Sequence, residues 1–142
     1  MYANDKSIVL PSGEVVFGSE TIIPDGNFQW KEATHNLTRI PKNISIEGNI
    51  YKAAHEIEKV RKILGNEPII IESWLRDWAA NSKIPGAASS SRHLFGDGID
   101  FRCLHLSPKQ IYVALEKWHL KGGLAVYKSH VHIDWRGVKA RW

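Results

Sequence analysis

Two late stretches, Ser91-Arg92-His93-Leu94-Phe95-Gly96-Asp97-Gly98-Ile99-Asp100 and His130-Val131-His132-Ile133-Asp134, constrain this chain more than any other part of it. Gly96 and Gly98 lie between His93 and Asp100, so the two side chains do not share a single helix face. A turn at the glycines followed by a strand brings both to one point, and glycine lets the backbone approach a bound ion or substrate closely. In a strand, His130 and His132 point to the same side, while Val131 and Ile133 point into a core. His93, Asp100 and His132 then offer two imidazoles and a carboxylate, a pattern that holds one zinc ion per chain. Three protein ligands leave a fourth position for water, which separates a catalytic zinc from a structural one. His130 is left to face that water or the substrate. These residues point to a zinc hydrolase.

The rest of the chain supplies a scaffold of the right kind. Residues 7–17 read as a hairpin, with Ile8-Val9-Leu10 and Val15-Val16-Phe17 on either side of Pro-Ser-Gly. Pro24-Asp25-Gly26 signals a turn, and residues 28–41 read as a winding loop or short helical turn. Residues 49–64 form the clearest helix: Ile50, Ala53, Ala54, Ile57, Val60, Ile63 and Leu64 recur at helical spacing, and Gly65 and Pro68 end it. Residues 68–73 are a β-branched strand candidate, 74–80 a turn or short helix, and 81–92 a loop rich in Ser, Gly and Ala. Residues 98–102 are a strand. Residues 107–118 are a helix capped by Ser107 with Pro108 in its first turn, its apolar face being Ile111, Ala114, Leu115 and Trp118. Residues 122–126 and 131–135 are two further strands, adjacent and antiparallel. The expected fold class is α+β, a small, mostly antiparallel sheet with helices packed on one face and the zinc site at the sheet. The expected division is an N-terminal hairpin or extension over 1–27 and a zinc peptidase domain over 28–142.

Composition excludes several classes. At 142 residues and 43% hydrophobic the chain can bury a single core. The net charge of +4 is spread along the chain, apart from Lys139 and Arg141, so no nucleic-acid stripe is formed. No apolar run approaches the roughly 20 residues of a membrane span. The single cysteine, Cys103, allows no internal disulfide and reads as a small buried residue. Each of the six Trp reads first as a large core residue. His35, His55, His105 and His119 read as ordinary surface or core residues, and Asp97 as solvated. Residues 1–11 lack the basic start and apolar stretch of a signal peptide.

Ser91-x-His93-x-x-Gly96-x-Gly98-x-Asp100 followed by His130-x-His132 resembles the zinc D-Ala-D-Ala carboxypeptidases and related wall peptidases, with their S-x-H-x-x-G-x-A-x-D and H-x-H signatures. Ser73-Trp74-Leu75-Arg76 resembles the Ser-x-x-Arg segment of that family, and Gly122-Gly123 fits its pattern before the last strand. The resemblance runs from about Phe28 to Arg136. Gly98 stands where alanine is usual, a small-for-small change. The resemblance implies a peptidoglycan peptide as substrate and a substrate-facing, catalytic role for Arg76. Relatives place an acid or a His two or three positions before the last ligand; with Ser129 and His130 here, His130 becomes the catalytic base or charge stabiliser.

Several readings stay open. Arg76 stabilises an oxyanion or binds a substrate carboxylate. Asp134 orients an imidazole from behind or makes a salt bridge or turn contact with Arg136. Ser91 binds substrate or caps the loop before His93. D,D-carboxypeptidase, D,D-dipeptidase and endopeptidase activities are not separated; a closed pocket with a cation suits the first and an open groove the last, and loop 81–90 bears on the choice. The same scaffold also serves as a non-catalytic zinc-containing wall-binding or signalling domain, which would lack Arg76 or His130; both are present. The expected state is a monomer. Without a signal peptide, delivery to the wall is by phage-type release through a membrane hole, or by another route.

Overall fold

A computed structural model describes residues 5–88 and 90–142; residues 1–4 of the N-terminal extension and Ser89 of the loop lie outside them. The order of elements is β1 (Ser7–Val9), β2 (Val15–Phe17), α1 (Trp30–Ala33), α2 (Ile44–Ile63), β3 (Ile69–Ser73), α3 (Trp78–Ser82), a 3-10 turn (Arg92–Phe95), β4 (Gly98–Cys103), α4 (Pro108–Glu116), β5 (Gly123–Val126), β6 (Val131–Asp134) and β7 (Ala140–Arg141). The first two strands form a hairpin of their own, and the other five make one sheet in the order β3-β4-β6-β5-β7. Every pairing in that sheet is antiparallel except β5 with β7. The fold is α+β, as the pattern of elements predicts.

Helix α2 begins five residues earlier than the apolar period suggests. Asn43 is its cap, the side chain accepting from the Ile46 N–H at 2.9 Å; Gly48, the fifth residue of the helix, hides that start from a propensity reading. Ile46, Ile50, Ala53, Ala54, Ile57 and Val60 form its buried face, whereas Ile63 is exposed. At the end Gly65 adopts φ +78°. The Gly65 N–H donates to the Lys62 carbonyl at 3.1 Å and the Asn66 N–H to the Arg61 carbonyl at 2.9 Å, the paired bonds of a Schellman stop. Helix α4 is capped by Ser107 as expected, and Gln110 completes a capping box, each bonding the other's backbone N–H. It stops at Glu116, so its buried face is Ile111 and Leu115 alone; Ala114 and Trp118, expected there, are exposed.

The sheet positions the site through simple alternation. Ile99 faces Ile133 and Phe101 faces Val131 across the β4–β6 ladder, and these four side chains are fully buried in the core with Ile50, Ile57, Ile111 and Leu115. Burial on this scale stabilises by roughly 1.5–3 kcal/mol per large side chain. The opposite face of the same ladder carries Asp100 directly across from His132. The N-terminal hairpin joins the same core through Ile8, Leu10 and Val16, and the Ser12 N–H donates to Glu47 of α2 at 2.9 Å.

Candidate metal centre and cleft

Register brings Asp100 and His132 together, and the 3-10 turn delivers His93. Ser91 caps that turn, its hydroxyl accepting from the His93 N–H at 3.3 Å, and Gly96 closes it at φ +81°. A Cβ on Gly98 would lie 3.0 Å from Arg92 and from the His93 nitrogen. Glycine at this position lets the turn sit tightly on β4. One ligand atom from each of His93, Asp100 and His132 lies within 4.8 Å of the others, and all three residues are buried.

The donor chemistry fits a metal ion. The His93 Nδ1–H donates to the Trp74 carbonyl at 2.8 Å, which leaves Nε2, 3.1 Å from Asp100 Oδ1, as the inward-facing atom. His132 turns Nδ1 to Asp100 Oδ1 at 2.9 Å and Nε2 to Asp134 Oδ2 at 2.7 Å. Each imidazole is thus held from behind by an oxygen that fixes its orientation. The second carboxylate oxygen of Asp100 accepts from Arg76 Nη2 at 3.2 Å. Burial alone would raise the pKa of Asp100, but hydrogen bonds from His132 and His93 outweigh it and hold the carboxyl well below the usual range. Burial would lower the pKa of His132, and its bonds to Asp100 and Asp134 pull it up instead.

Asp134 makes two kinds of contact at once. It meets His132, and it also accepts from Arg136 Nε at 2.8 Å and Nη2 at 2.7 Å. The Gly123 N–H donates to it as well, at 2.9 Å. Against the effect of burial, these partners keep the carboxyl below its ordinary pKa. Gly122 and Gly123 are needed for this closeness. A Cβ on Gly122 would collide with the Asp134 carbonyl and the His119 ring, and one on Gly123 with the Asp134 carboxylate.

His130 precedes β6 in the tight β5–β6 connection, where the Tyr127 N–H donates to its carbonyl at 2.9 Å. Its Nε2 is 3.8 Å from Asp100 Oδ2, and its ring stacks on Tyr127 with centroids 4.8 Å apart and planes at 17°. Arg76 is held by Ser73, whose hydroxyl accepts from Nε at 3.1 Å. Burial lowers the pKa of its guanidinium; Asp100 opposes that shift and Arg39 adds to it. A cleft of about 510 Å³ opens over the cluster, with Arg76, Ser91, His93, Asp100, His130 and His132 all in its lining.

The structure also places residues that the sequence reading missed. Trp142 lines the cleft, its indole N–H donating to the Tyr127 hydroxyl at 2.8 Å and its ring lying 5.2 Å from that of His132. Arg136 sits over the same indole at 5.1 Å. Asp97, expected to be solvated, is buried and paired with Arg92 at 2.6 Å. His119, read from the sequence as an ordinary surface or core residue, lies beyond α4, buried, with Nε2 donating to the Asp134 carbonyl at 2.7 Å. Cys103 is buried as expected.

A three-residue His-Asp-His cluster at the base of a cleft, on an α+β sheet, is a site that could hold a metal ion, an arrangement that suits a metallohydrolase. A family model described as Peptidase M15 matches residues 26–134, and the chain belongs to that zinc-dependent peptidase family. No curated protein matches the chain. No helix among the described residues is long and apolar enough to cross a membrane.

Proposed function

We propose that this chain is a zinc peptidase that hydrolyses peptide bonds in the stem or cross-links of bacterial peptidoglycan, in the manner of D-Ala-D-Ala carboxypeptidases. The observation that supports this most strongly is the convergence of His93 Nε2, Asp100 Oδ1 and His132 Nδ1 beneath a cleft that also presents His130 and Arg76. His93, Asp100 and His132 would hold the zinc ion, which would supply a Lewis acid able to make water nucleophilic near neutral pH. His130 is the group positioned to accept a proton from the attacking water at Nε2 and to hand it to the departing amide nitrogen. Stacking on Tyr127 and the 3.0 Å contact of Nδ1 with the Ser129 hydroxyl orient that ring.

Arg76 keeps a fixed positive charge at the cleft floor. One arm is tied to Asp100 and Ser73, so the remaining N–H groups meet a developing oxyanion or a substrate carboxylate without reorganising. Asp134 holds His132 in the orientation that presents Nδ1. Ser91 orders the turn before His93 and borders the cleft, where its side chain can also meet substrate.

Release of free amino groups from purified peptidoglycan by the zinc-loaded chain tests the reading, with mass spectrometry of the products identifying the bond. Release that stops on chelation and returns with zinc is the expected result. A folded, zinc-loaded chain that frees no amino group from peptidoglycan or from any soluble stem peptide would instead favour a non-catalytic wall-binding domain.

A further inference from the structure

The cleft does not end at the metal cluster. On the far side of Arg76, Asp100 and His130 it continues into a second hollow of about 430 Å³, bordered by His35, Arg39, Glu72, Ser73 and Arg102. The two hollows share Arg76, Asp100 and His130 in their walls. Three arginines face this extension, and they are not equivalent. Arg76 is bound to Asp100, and Arg102 is paired with Glu72 at 2.5 Å. Among the described residues no carboxylate lies within ion-pairing distance of Arg39. One of its guanidinium nitrogens donates to the Leu75 carbonyl at 3.2 Å, and it stands close enough to Arg76 to disfavour that residue's charge.

Arg39 is aimed there by an unusual piece of backbone. His35, Asn36 and Leu37 take φ values of 49°, 57° and 65° in succession. Three consecutive non-glycine residues in the left-handed region are uncommon, and a leucine side chain can make no local hydrogen bond to favour it there. The turn is held from inside by Thr34, fully buried, whose hydroxyl donates to the Trp30 carbonyl at 2.6 Å and accepts from the Leu37 N–H at 3.0 Å. The Arg39 N–H then returns to the Thr34 carbonyl at 2.9 Å. Backbone kept in such a conformation by its surroundings is a mark of functional placement.

We propose that Arg39 is a specificity residue that binds a substrate carboxylate in this extension, next to the bond cut at the metal cluster. The proposal rests on the peptidase reading above. A guanidinium half-buried at the wall of a groove, with donors left over, suits a carboxylate through paired charge-assisted hydrogen bonds. The carboxylate can be the C-terminal one of a stem peptide or the side-chain one of an acidic residue near the scissile bond.

Two pairs of soluble stem peptides test this and tell the sources apart. In one pair the C-terminus is free or amidated; in the other the acidic side chain is free or amidated. The expected result is that the zinc-loaded wild type prefers the free form of one pair by about tenfold or more in kcat/KM. Arg39→Gln should erase that preference and leave the rate on the amidated partner unchanged, and Arg39→Lys should restore part of it. A wild type indifferent to amidation in both pairs overturns the proposal. So does an Arg39→Gln chain that slows on free and amidated forms alike, which marks a structural role. A wild type that cuts none of the four overturns the peptidase reading instead. Calorimetric binding of the same peptides then decides the subsite: a free-carboxylate preference lost in Arg39→Gln upholds it, and equal binding overturns it.

Discussion

Strands β4 and β6 pair from Gly98–Asp134 to Phe101–Val131, and alternate residues of this ladder meet two different environments. On one face Ile99, Phe101, Val131 and Ile133 are fully buried among apolar side chains. On the other, Asp100 and His132 oppose each other, backed by His93, Asp134 and Arg76. Both faces are buried, but they are stabilised differently. The apolar face gains from area removed from water and from dense packing. The polar face places charged groups out of water, which is tolerable only because each finds a partner of opposite charge or a hydrogen bond. Those same partners orient the donor atoms toward one point. A single backbone ladder thus carries the core and the site, and a change on one face should register as lost stability, on the other as lost metal and chemistry.

Asp100→Asn makes the largest break in this division. It removes the charge shared by both imidazoles and by Arg76, so zinc content and peptide hydrolysis should fall to background while circular dichroism still reports a folded chain. Phe101→Ala, one residue along the strand, should do the reverse. It should destabilise by about 3–5 kcal/mol in denaturant titration, with zinc per folded chain unchanged. A Phe101→Ala chain that stays stable but loses zinc would erase the distinction between the faces.

Asp134→Asn acts one step further from the metal and sharpens the account of the polar face. The carboxylate that orients His132 becomes an amide, so zinc affinity measured against a competing chelator should weaken about 10–100-fold. Unchanged affinity would make Asp134 a partner of Arg136 and Gly123 only. The smallest effect concerns His119, on the far side of Asp134. Burial, with Arg141 adding to it, outweighs the Asp134 carbonyl and lowers its pKa. The folded chain therefore favours the neutral ring, while the unfolded chain takes up a proton near pH 6.5. Stability should drop as pH falls through about 6.5 and the drop should level off below the folded pKa. Thermal melts from pH 8 to 5.5 should show a shallower drop in His119→Gln; an equal drop would remove His119 from the account.

What was legible in the sequence was what short-range pattern encodes. The glycines between His93 and Asp100 and the helical period from Ile50 to Val60 each reflect local geometry, whereas of the His130-x-His132 pair only His132 lies in β6 and His130 belongs to the connection before it. Residues whose state depends on distant partners were not legible. Asp97 reads as solvated until the 3-10 turn swings Arg92 over it. His119 reads as an ordinary residue because its partner, the Asp134 carbonyl, comes from a distant strand. Strand β7 is two residues long, and only its parallel pairing with β5 defines it. No sequence pattern links Trp142 to His132, and Arg39 carries no signal until the left-handed turn that aims it is seen. The glycines at 122 and 123 were visible as a pattern, but their reason, room for Asp134, was not.

The most direct test of the central claim is zinc stoichiometry by atomic emission on chain purified without chelator or added metal, wild type beside His132→Ala, with amino-group release from peptidoglycan measured on the same samples. One zinc per wild-type chain, lost in His132→Ala together with hydrolysis, is the predicted result. A folded wild type without zinc, or a His132→Ala chain that keeps both its zinc and its activity, would contradict the account.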